Sequence, residues 1–472
     1  MKAKHLFSQL LATSLMLSML SFSSLSQANQ TSGFSQLKEN AKGQVNVYGI
    51  FNDISEVKLG EDVIMLGEVE TSFNNVNILK LGVSPAFDGI NKHPFLELNH
   101  LELTHYAENS DVVIGKMVSR IGILDFGSQM NAFNQLRPNF FNEENLNVRY
   151  KPSWMLRLDR YIGDSSTHRF IFQPLDKERY HNTLRTSGAV IDSNVASILT
   201  SSSNEDVNSL GENIFVPAYN SGGDEPLKAY IRDRMPNPEY ALDTSTLGVD
   251  LRTTQDNKTY GVFLMNAFSY TPQINVHPAF LNAAANIYDE SVLNSLAGKD
   301  KAEQQEIIID YLTGNDIDPV ESIENFRYNQ ITGYLESTLS GFGVRGEFTI
   351  KDRVPLLNQS VPMSSIGLGI DHDGALYNNL EMQYYRLHSL DFYAAYVAWL
   401  AEVDDFKLGI YDATFSHTLA YATYQTGDPE VASLSQFSLE YKQHTFGLQY
   451  LVHSVKALDN HQINFFFKLK LF

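Results

Sequence analysis

The sequence predicts an all-β protein: a transmembrane antiparallel up-and-down β-barrel of about 16 strands, in a range of about 14–18, with two long loops, one partly helical. Three observations predict it. Apolar and polar residues alternate along most of the chain, which gives each strand one apolar face. Short polar connections join many of the alternating runs, as in a meander of hairpins. A secretory leader precedes them, and no later run is apolar enough for a membrane helix, so a closed barrel is the remaining way to span a bilayer.

Residues 1–28 read as the leader. Lys2 and Lys4 supply its positive start, Leu10 to Phe22 its short apolar stretch, and Ser26 and Ala28 a small-residue cleavage site. The apolar stretch falls short of the ~20 residues of a spanning helix. Residues 29–42 are expected to be a short periplasmic tail, and 43–472 the barrel. Alternation begins by Val45, which leaves no room for the large N-terminal plug of an energised transporter.

Composition excludes several classes. The 472 residues include 55 Asp and Glu against 35 Lys and Arg, a formal charge of −20, or −22 once Lys2 and Lys4 are removed. That acidity argues against nucleic acid as a partner. Hydrophobic residues make up 43%, too many for intrinsic disorder. The chain has no cysteine, which excludes disulfides, thiolate nucleophiles and Cys-based metal sites.

The clearest run is 146–161, expected as one strand of about sixteen residues. Leu146, Val148, Tyr150, Pro152, Trp154, Leu156 and Leu158 form its apolar side, and Arg149, Lys151, Arg157 and Asp159 lie on the other. Pro152 requires a bulge or a local edge. Leu247, Val249 and Leu251 repeat the pattern, as do Ile366, Leu368 and Ile370 between Gly367, Gly369 and Asp371. So do Leu380, Met382 and Tyr384; Phe406, Leu408 and Ile410; Phe437, Leu439 and Tyr441; and Phe446, Leu448, Tyr450 and Val452. Asp373-Gly374 and Gln443-His444 are expected as tight turns, with short polar links at 108–111 and 255–258. Tyr150, Tyr384, Tyr441 and Tyr450 are candidates for aromatic girdles at the membrane interfaces. Soluble sandwiches and propellers also alternate, but no blade-length repeat is visible.

Two segments interrupt the meander. Residues 179–242 are rich in Ser, Asn, Asp, Gly and Pro, and 278–325 contain two short amphipathic helical patterns. Both suit external loops or a constriction folded into the lumen.

No nucleophile elbow, phosphate loop or zinc-protease motif is present, so an enzyme is not expected, nor a cofactor or metal. His100 and His105 near Glu97, Glu102 and Glu108 form the densest His/carboxylate cluster and read as lumen or rim polar residues. Asp371, Asp373 and Gly374 resemble part of a calcium loop, but a hairpin explains them better. Lys116, Arg120, Arg149, Lys151 and Arg157 share inner-face parity on neighbouring runs and are expected to form a basic wall of the pore. Asp250, Asp371, Glu381 and Glu440 would form an acidic wall facing it. Opposed walls give a transverse field that tunes selectivity; salt bridges closing the barrel are the alternative.

The chain ends INFFFKLKLF, which resembles the last strand of Gram-negative outer-membrane barrels, with Phe472 as the terminal aromatic read by the assembly machinery. Lys468 and Lys470 share its parity, while Ile463, Phe465, Phe467, Leu469 and Leu471 carry the apolar stripe, a departure from the usual pattern. Residues 112–136, 146–176 and 237–251 are similar to a poorly characterised outer-membrane barrel family, with Ile121-Gly122 where that family often has Trp-Gly. The resemblance implies an outer-membrane location, contact with outer-membrane lipids and the assembly machinery, and an association with an inner-membrane RND-type exporter. The function expected is a porin-like channel for passage or export of small solutes or lipid-like cargo. The alternatives are a non-conducting structural or adhesion barrel and, less so, a barrel enzyme.

Overall fold

The computed structural model describes residues 42–51, 63–73, 76–87, 94–136, 146–177, 179–180, 236–278, 320–356, 358–388, 392–424, 429–442, 444–454 and 461–470. The leader 1–28, the tail to residue 41, Phe472 and most of the loops 179–242 and 278–325, with their helical patterns, lie outside the described residues.

Strands β1 (Lys42–Phe51), β2 (Val63–Phe73), β3 (Asn77–Phe87), β4 (Pro94–Ala107) and β5 (Ser110–Met117) open the barrel. A two-residue strand β6 (Gln135–Leu136), a single helical turn α1 (Leu146–Arg149) and a second short strand β7 (Tyr150–Lys151) follow. The wall resumes with β8 (Ser153–Ile162), β9 (Ser166–Gln173), β10 (Thr246–Gln255) and β11 (Lys258–Phe268). A ribbon of β12 (Gln273–Val276) and β13 (Val320–Glu324) pairs separately and meets the wall where the Asn358 N–H donates to the Ile274 carbonyl at 2.9 Å. Strands β14 (Arg327–Leu339), β15 (Phe342–Leu356), β16 (Gln359–His372), β17 (Tyr377–Leu387) and β18 (Phe392–Leu408) come next. The last are β19 (Tyr411–Tyr424), β20 (Glu430–Tyr441), β21 (His444–His453) and β22 (His461–Lys470).

Eighteen of these strands form one sheet, and every neighbouring pair is antiparallel. Pairing of β1 with β22, from Gln44 opposite Lys470 to Phe51 opposite Ile463, closes it into a barrel. The count is the upper end of the expected range, because 42–107 supplies four strands whose alternation is broken by Gly, Glu and His. The connections are asymmetric. All the links at the end that carries Lys42 and Lys470 have two to four residues, among them 108–109, 256–257 and 340–341. The three longest, 118–152, 174–245 and 269–326, leave from the opposite end. Ser340 and Gly341 both take positive φ, the backbone that a two-residue hairpin between right-twisted strands needs. At Asp373-Gly374 the turn spans 373–376, and His444 belongs to β21 rather than to a turn.

The alternation decides which side chains face out. Ile366, Leu368, Ile370, Met382, Tyr384, Phe446, Leu448 and Tyr450 are exposed on the outside, as are Trp154, Leu156, Leu247 and Leu251. On β22, Ile463 and Phe467 face outward while Phe466 is buried inside with the Lys468 ammonium over its ring. The apolar stripe of the terminal strand is therefore the outer one. Outward tyrosines collect at two levels. Tyr260, Tyr411 and Tyr441 lie near the short-turn end, and Tyr384, Tyr393, Tyr421 and Tyr450 near the other. Tyr411 and Tyr421 are about ten residues apart on one strand, about 33 Å along it and about 25 Å along the axis of a barrel tilted by 35–45°. That is the height of a lipid-facing band. Leu156→Arg, inside the band, should lower stability by about 2–4 kcal/mol, read from the urea midpoint in lipid vesicles. An unchanged midpoint would place Leu156 outside the hydrocarbon.

The run 146–161 is not one strand. Its first six residues form α1 and β7, and the wall strand starts after Pro152, which has no N–H to give the ladder. Tyr150 is consequently buried inside, not in a girdle.

Candidate functional site

The described residues between β5 and β8 fold into the barrel and bind its inner wall. The site is built from that wall. Across β15, β16 and β17 the inward positions align in rows: Glu347 opposite Gly367 opposite Gln383, then Arg345 opposite Gly369 opposite Glu381, then Gly343 opposite Asp371 opposite Asn379. The two central glycines leave a hollow between flanking charged side chains. Leu124 fills it: a Cβ at Gly367 would sit 2.5 Å from Leu124 Cδ1, and one at Gly369 would sit 3.2 Å from Cδ2.

Carboxylates on either side of the hollow take the segment's backbone. Glu347 Oε1 accepts from Ile123 N at 2.9 Å and Leu124 N at 3.3 Å, and Ser128 Oγ donates to the same carboxylate. Glu381 accepts from Asp125 N at 2.8 Å and Phe126 N at 2.9 Å. Four successive amides thus end on two buried carboxylates, which satisfies both the amides and the charges. The Arg345 guanidinium sits between them. It donates to Asp125 Oδ2 at 2.7 Å and the Ile123 carbonyl at 3.1 Å, and lies 3.1 Å from Asp371 and 3.4 Å from Glu381. Burial favours the protonated form of Asp125, but the hydrogen bonds and charges of Arg345 and Arg120 outweigh it and hold the carboxyl below its ordinary value.

The rest of the segment is fixed by apolar packing and by wall amides. Ile121, Ile123, Met130 and Phe133 pack on Val113, Met117, Met155, Ile171, Phe263 and Met265, which face into the barrel. Phe133 meets Phe263 edge-to-face at 6.2 Å. Gln173 Nε2 donates to the Phe133 carbonyl and Gln330 Nε2 to that of Gln129. Two asparagines staple the segment to itself: Asn131 Oδ1 accepts from Ile121 N and Gly122 N, and Asn134 joins Ser119 N to the carbonyls of Met117 and Lys151. On the far side Asn147 Nδ2 reaches Glu68 on β2 at 3.2 Å. The described parts of the connection, 118–136 and 146–152, thus reach from the β15–β17 wall to β2 on the other side of the lumen.

The charged residues singled out in the sequence fall in different places. Lys116 is on the outer face: Val113, Gly115 and Met117 take the inner parity of β5, and the Lys116 ammonium bends to the Leu98 carbonyl at 2.9 Å. Arg120 lies on the inserted segment, 2.6 Å from Asp125 Oδ1. Arg149, on α1, donates to the Asp125 carbonyl at 2.8 Å, and Lys151 belongs to the small β6–β7 ribbon. Arg157 does face inward, 3.2 Å from Asp159, which also holds Arg169. Asp250 is inward and buried, accepts from Tyr334 Oη at 2.6 Å, and stands opposite Arg169 in register. Asp371 and Glu381 both contact Arg345, and Glu440 is exposed on the inner parity of β20 near the short-turn end. Separate basic and acidic walls are thus not formed: Asp250 lies beside the arginines, and the acids of β16 and β17 surround Arg345. The His/carboxylate cluster of β4 also splits. His100 is buried inside, 3.8 Å from Glu68, while His105 is exposed and bonds Asn77.

Glu347 and Arg345, the centre of the site, are absent from the residues singled out by sequence. The available signal was the Gly367/Gly369 pair on the inward parity of β16, a hollow between two charged strands.

No family model and no curated protein matches the chain. Solved structures resemble it in outline. Wzi of Escherichia coli, described as a carbohydrate-binding outer-membrane β-barrel involved in group 1 capsule assembly, is 8% identical, with 93% of this chain and 87% of that one covered and a TM-score of 0.46. OccK5 (OpdH) of Pseudomonas aeruginosa is 7% identical over 92% and 99% of the two chains, with a TM-score of 0.47. OccK3 (OpdO) of the same organism is 10% identical over 93% and 98%, with a TM-score of 0.44.

Proposed function

We propose that the chain is a porin-like channel of a Gram-negative outer membrane, passing small polar solutes through a lumen narrowed by residues 118–136 and 146–152. The observation that carries the reading is the clasp. A segment that crosses the lumen is bonded to it by wall carboxylates and a guanidinium, so the space beside it has a fixed, charged border. The lipid-facing band and its two tyrosine levels support the membrane setting, and the short-turn end is then periplasmic. No motif for catalysis or for a cofactor competes with this role. Planar-bilayer recording of the purified protein tests it: discrete single-channel steps are expected. Silent recordings from protein shown to be inserted would select a non-conducting barrel. Burial of Gln449 and Phe466 on the inner face of β21 and β22 favours that second reading.

Selectivity gives a finer test. Arg149→Gln with Arg157→Gln removes two lumenal positive charges and should shift the reversal potential under a salt gradient towards cations. The shift should shrink in 1 M salt, where screening shortens to about 3 Å. Unchanged selectivity in a conducting double variant would place both arginines outside the conduction path.

A further inference from the structure

On the outer face of β18, β19 and β20 two rows lie side by side: Ala401 opposite His417 opposite Ser435, and Trp399 opposite Leu419 opposite Ser433. Exposed Trp399, Phe415, Leu419, Tyr421 and Val431 fix the outward parity of these rows. His417 stands six residues from Tyr411 and four from Tyr421 on the same strand, about 15 Å and about 10 Å from the two tyrosine levels along the barrel axis. An imidazole therefore sits inside the apolar band, at depths where Ile366, Leu368, Met382 and Leu448 are the outward residues elsewhere. His417 Nδ1 meets Ser435 Oγ at 3.0 Å, and the Trp399 ring stands edge-on to the imidazole at 6.4 Å. Among the described residues no hydrogen-bond partner meets the other imidazole nitrogen, Nε2, or the Trp399 indole N–H. Hydrocarbon cannot replace water at such groups, so leaving them bare in a bilayer is costly.

Height decides which groups can meet across a contact between two barrels. A two-fold axis in a membrane runs along the membrane normal and sets each group against one at its own level. The stagger of the strands puts Trp399 and His417 on one level. The row that starts at Tyr441, the foot of β20, passes His444, Leu469, Val45, Gly67 and Val83 and ends at Leu98, nine residues above the foot of β4. Rows thus climb from β18 towards β20. Ala401 lies about 3 Å below His417, and Trp399, two residues higher on β18, lies within about 2 Å of its level and about 8 Å round the barrel. Leu419 projects midway between them, about 5 Å higher.

We propose that this face docks against a second copy of the chain, across a two-fold axis that passes between Trp399 and His417. The indole N–H of each subunit donates to Nε2 of the partner subunit's His417, while Nδ1–H donates to Ser435 within its own subunit. Donor and acceptor lie on the same face, so one patch answers itself twice; an unrelated partner would have to bring both. Small Ala401 and Ser435 beside large Trp399 and Leu419 let the two surfaces interlock. The docking presupposes the membrane setting proposed above.

The chain has no cysteine, so a single introduced one reports a single place. Leu419→Cys beside the axis and Leu156→Cys on the far side of the barrel are treated with a short bismaleimide in membranes. A product of twice the mass of the single chain is expected from Leu419→Cys and none from Leu156→Cys. Native mass spectrometry from detergent micelles should count two copies of the wild type. His417→Leu and Trp399→Phe should each weaken the dimer about tenfold, since either removes both reciprocal bonds. Equal cross-linking of the two cysteines, or a product of any other mass, overturns the proposal. So does a His417→Leu variant that unfolds at higher urea with its copy number unchanged, because a face turned to lipid gains from losing a polar group. Wild type recovered from the membrane fraction as a single copy overturns the dimer alone; wild type missing from that fraction overturns the membrane reading, and the dimer with it.

Discussion

Arg345→Leu should destabilise the barrel by about 3–5 kcal/mol, the cost of removing one partner from a buried ionic cluster. Asp125, Asp371 and Glu381 all lie within 3.4 Å of the guanidinium, and each would lose that cationic partner. Arg345→Lys should recover only part of the loss, because an ammonium cannot present two faces at once to Asp125 and Asn379. Adding Asp125→Asn and Asp371→Asn to Arg345→Leu should restore part of the stability. Urea unfolding in vesicles reads all of these; an Arg345→Leu midpoint equal to wild type would mean that water already solvates the cluster. The wild type has a matching acid limit. The folded pKa of Asp125 is lowered, so its contribution is complete above the unfolded value of about 3.9 and is lost as pH falls through the lower folded value. The Asp125 share of the docking should persist at pH 5 and be lost only in stronger acid.

Glu347→Gln with Glu381→Gln should undock residues 123–126 while leaving the barrel closed. Each charged acceptor bond contributes about 1.5–3 kcal/mol, and glutamine offers one carbonyl oxygen where each carboxylate offered two. At position 381 the amide nitrogen would face a backbone N–H, donor against donor. Hydrogen exchange at Ile123, Leu124, Asp125 and Phe126 should accelerate at least about 100-fold, with exchange in β15–β17 unchanged. Open-channel current noise should rise with it. Slow exchange at these four amides in the double variant would show that Leu124 in its glycine hollow and the Phe133 contacts hold the segment alone. Gly367→Val tests that share separately, since its side chain would take the space of Leu124 Cδ1.

The wall was legible and the clasp was not, for a physical reason. Ile366 to Ile370 and Phe446 to Val452 each carry their own face in a period of two, a local property. The clasp is long-range: Ile123 and Glu347 are 224 positions apart, and nothing near either one names the other. The inserted segment also inverts the local code. Val113, Met117 and Met155 are apolar yet face inward, because Ile121 and Phe133 cover them, so Lys116 was given the wrong face. Tyr150 and Val148 alternate with Arg149 and Lys151 by coincidence, and the run looked like one strand until Pro152 divided it. Arg157, Asp250, Asp371, Glu381 and Glu440 all take the inward parity, but their partners decide what the charges do.

The seam between β1 and β22 has a consequence for how the molecule can form. Most other wall strands meet a neighbour across a short hairpin, and such pairs can zip as soon as both are present. The seam joins segments roughly 420 residues apart, and its ring entropy exceeds that of a ten-residue hairpin by about 3 kcal/mol. Until it shuts, the growing sheet shows a bare edge on each flank, both with unpaired amides and a greasy outer side. The two flanks are complementary to each other and equally to those of any neighbouring unfinished copy. Dilution, or a host that shields one flank until the other arrives, therefore decides between a ring and an aggregate.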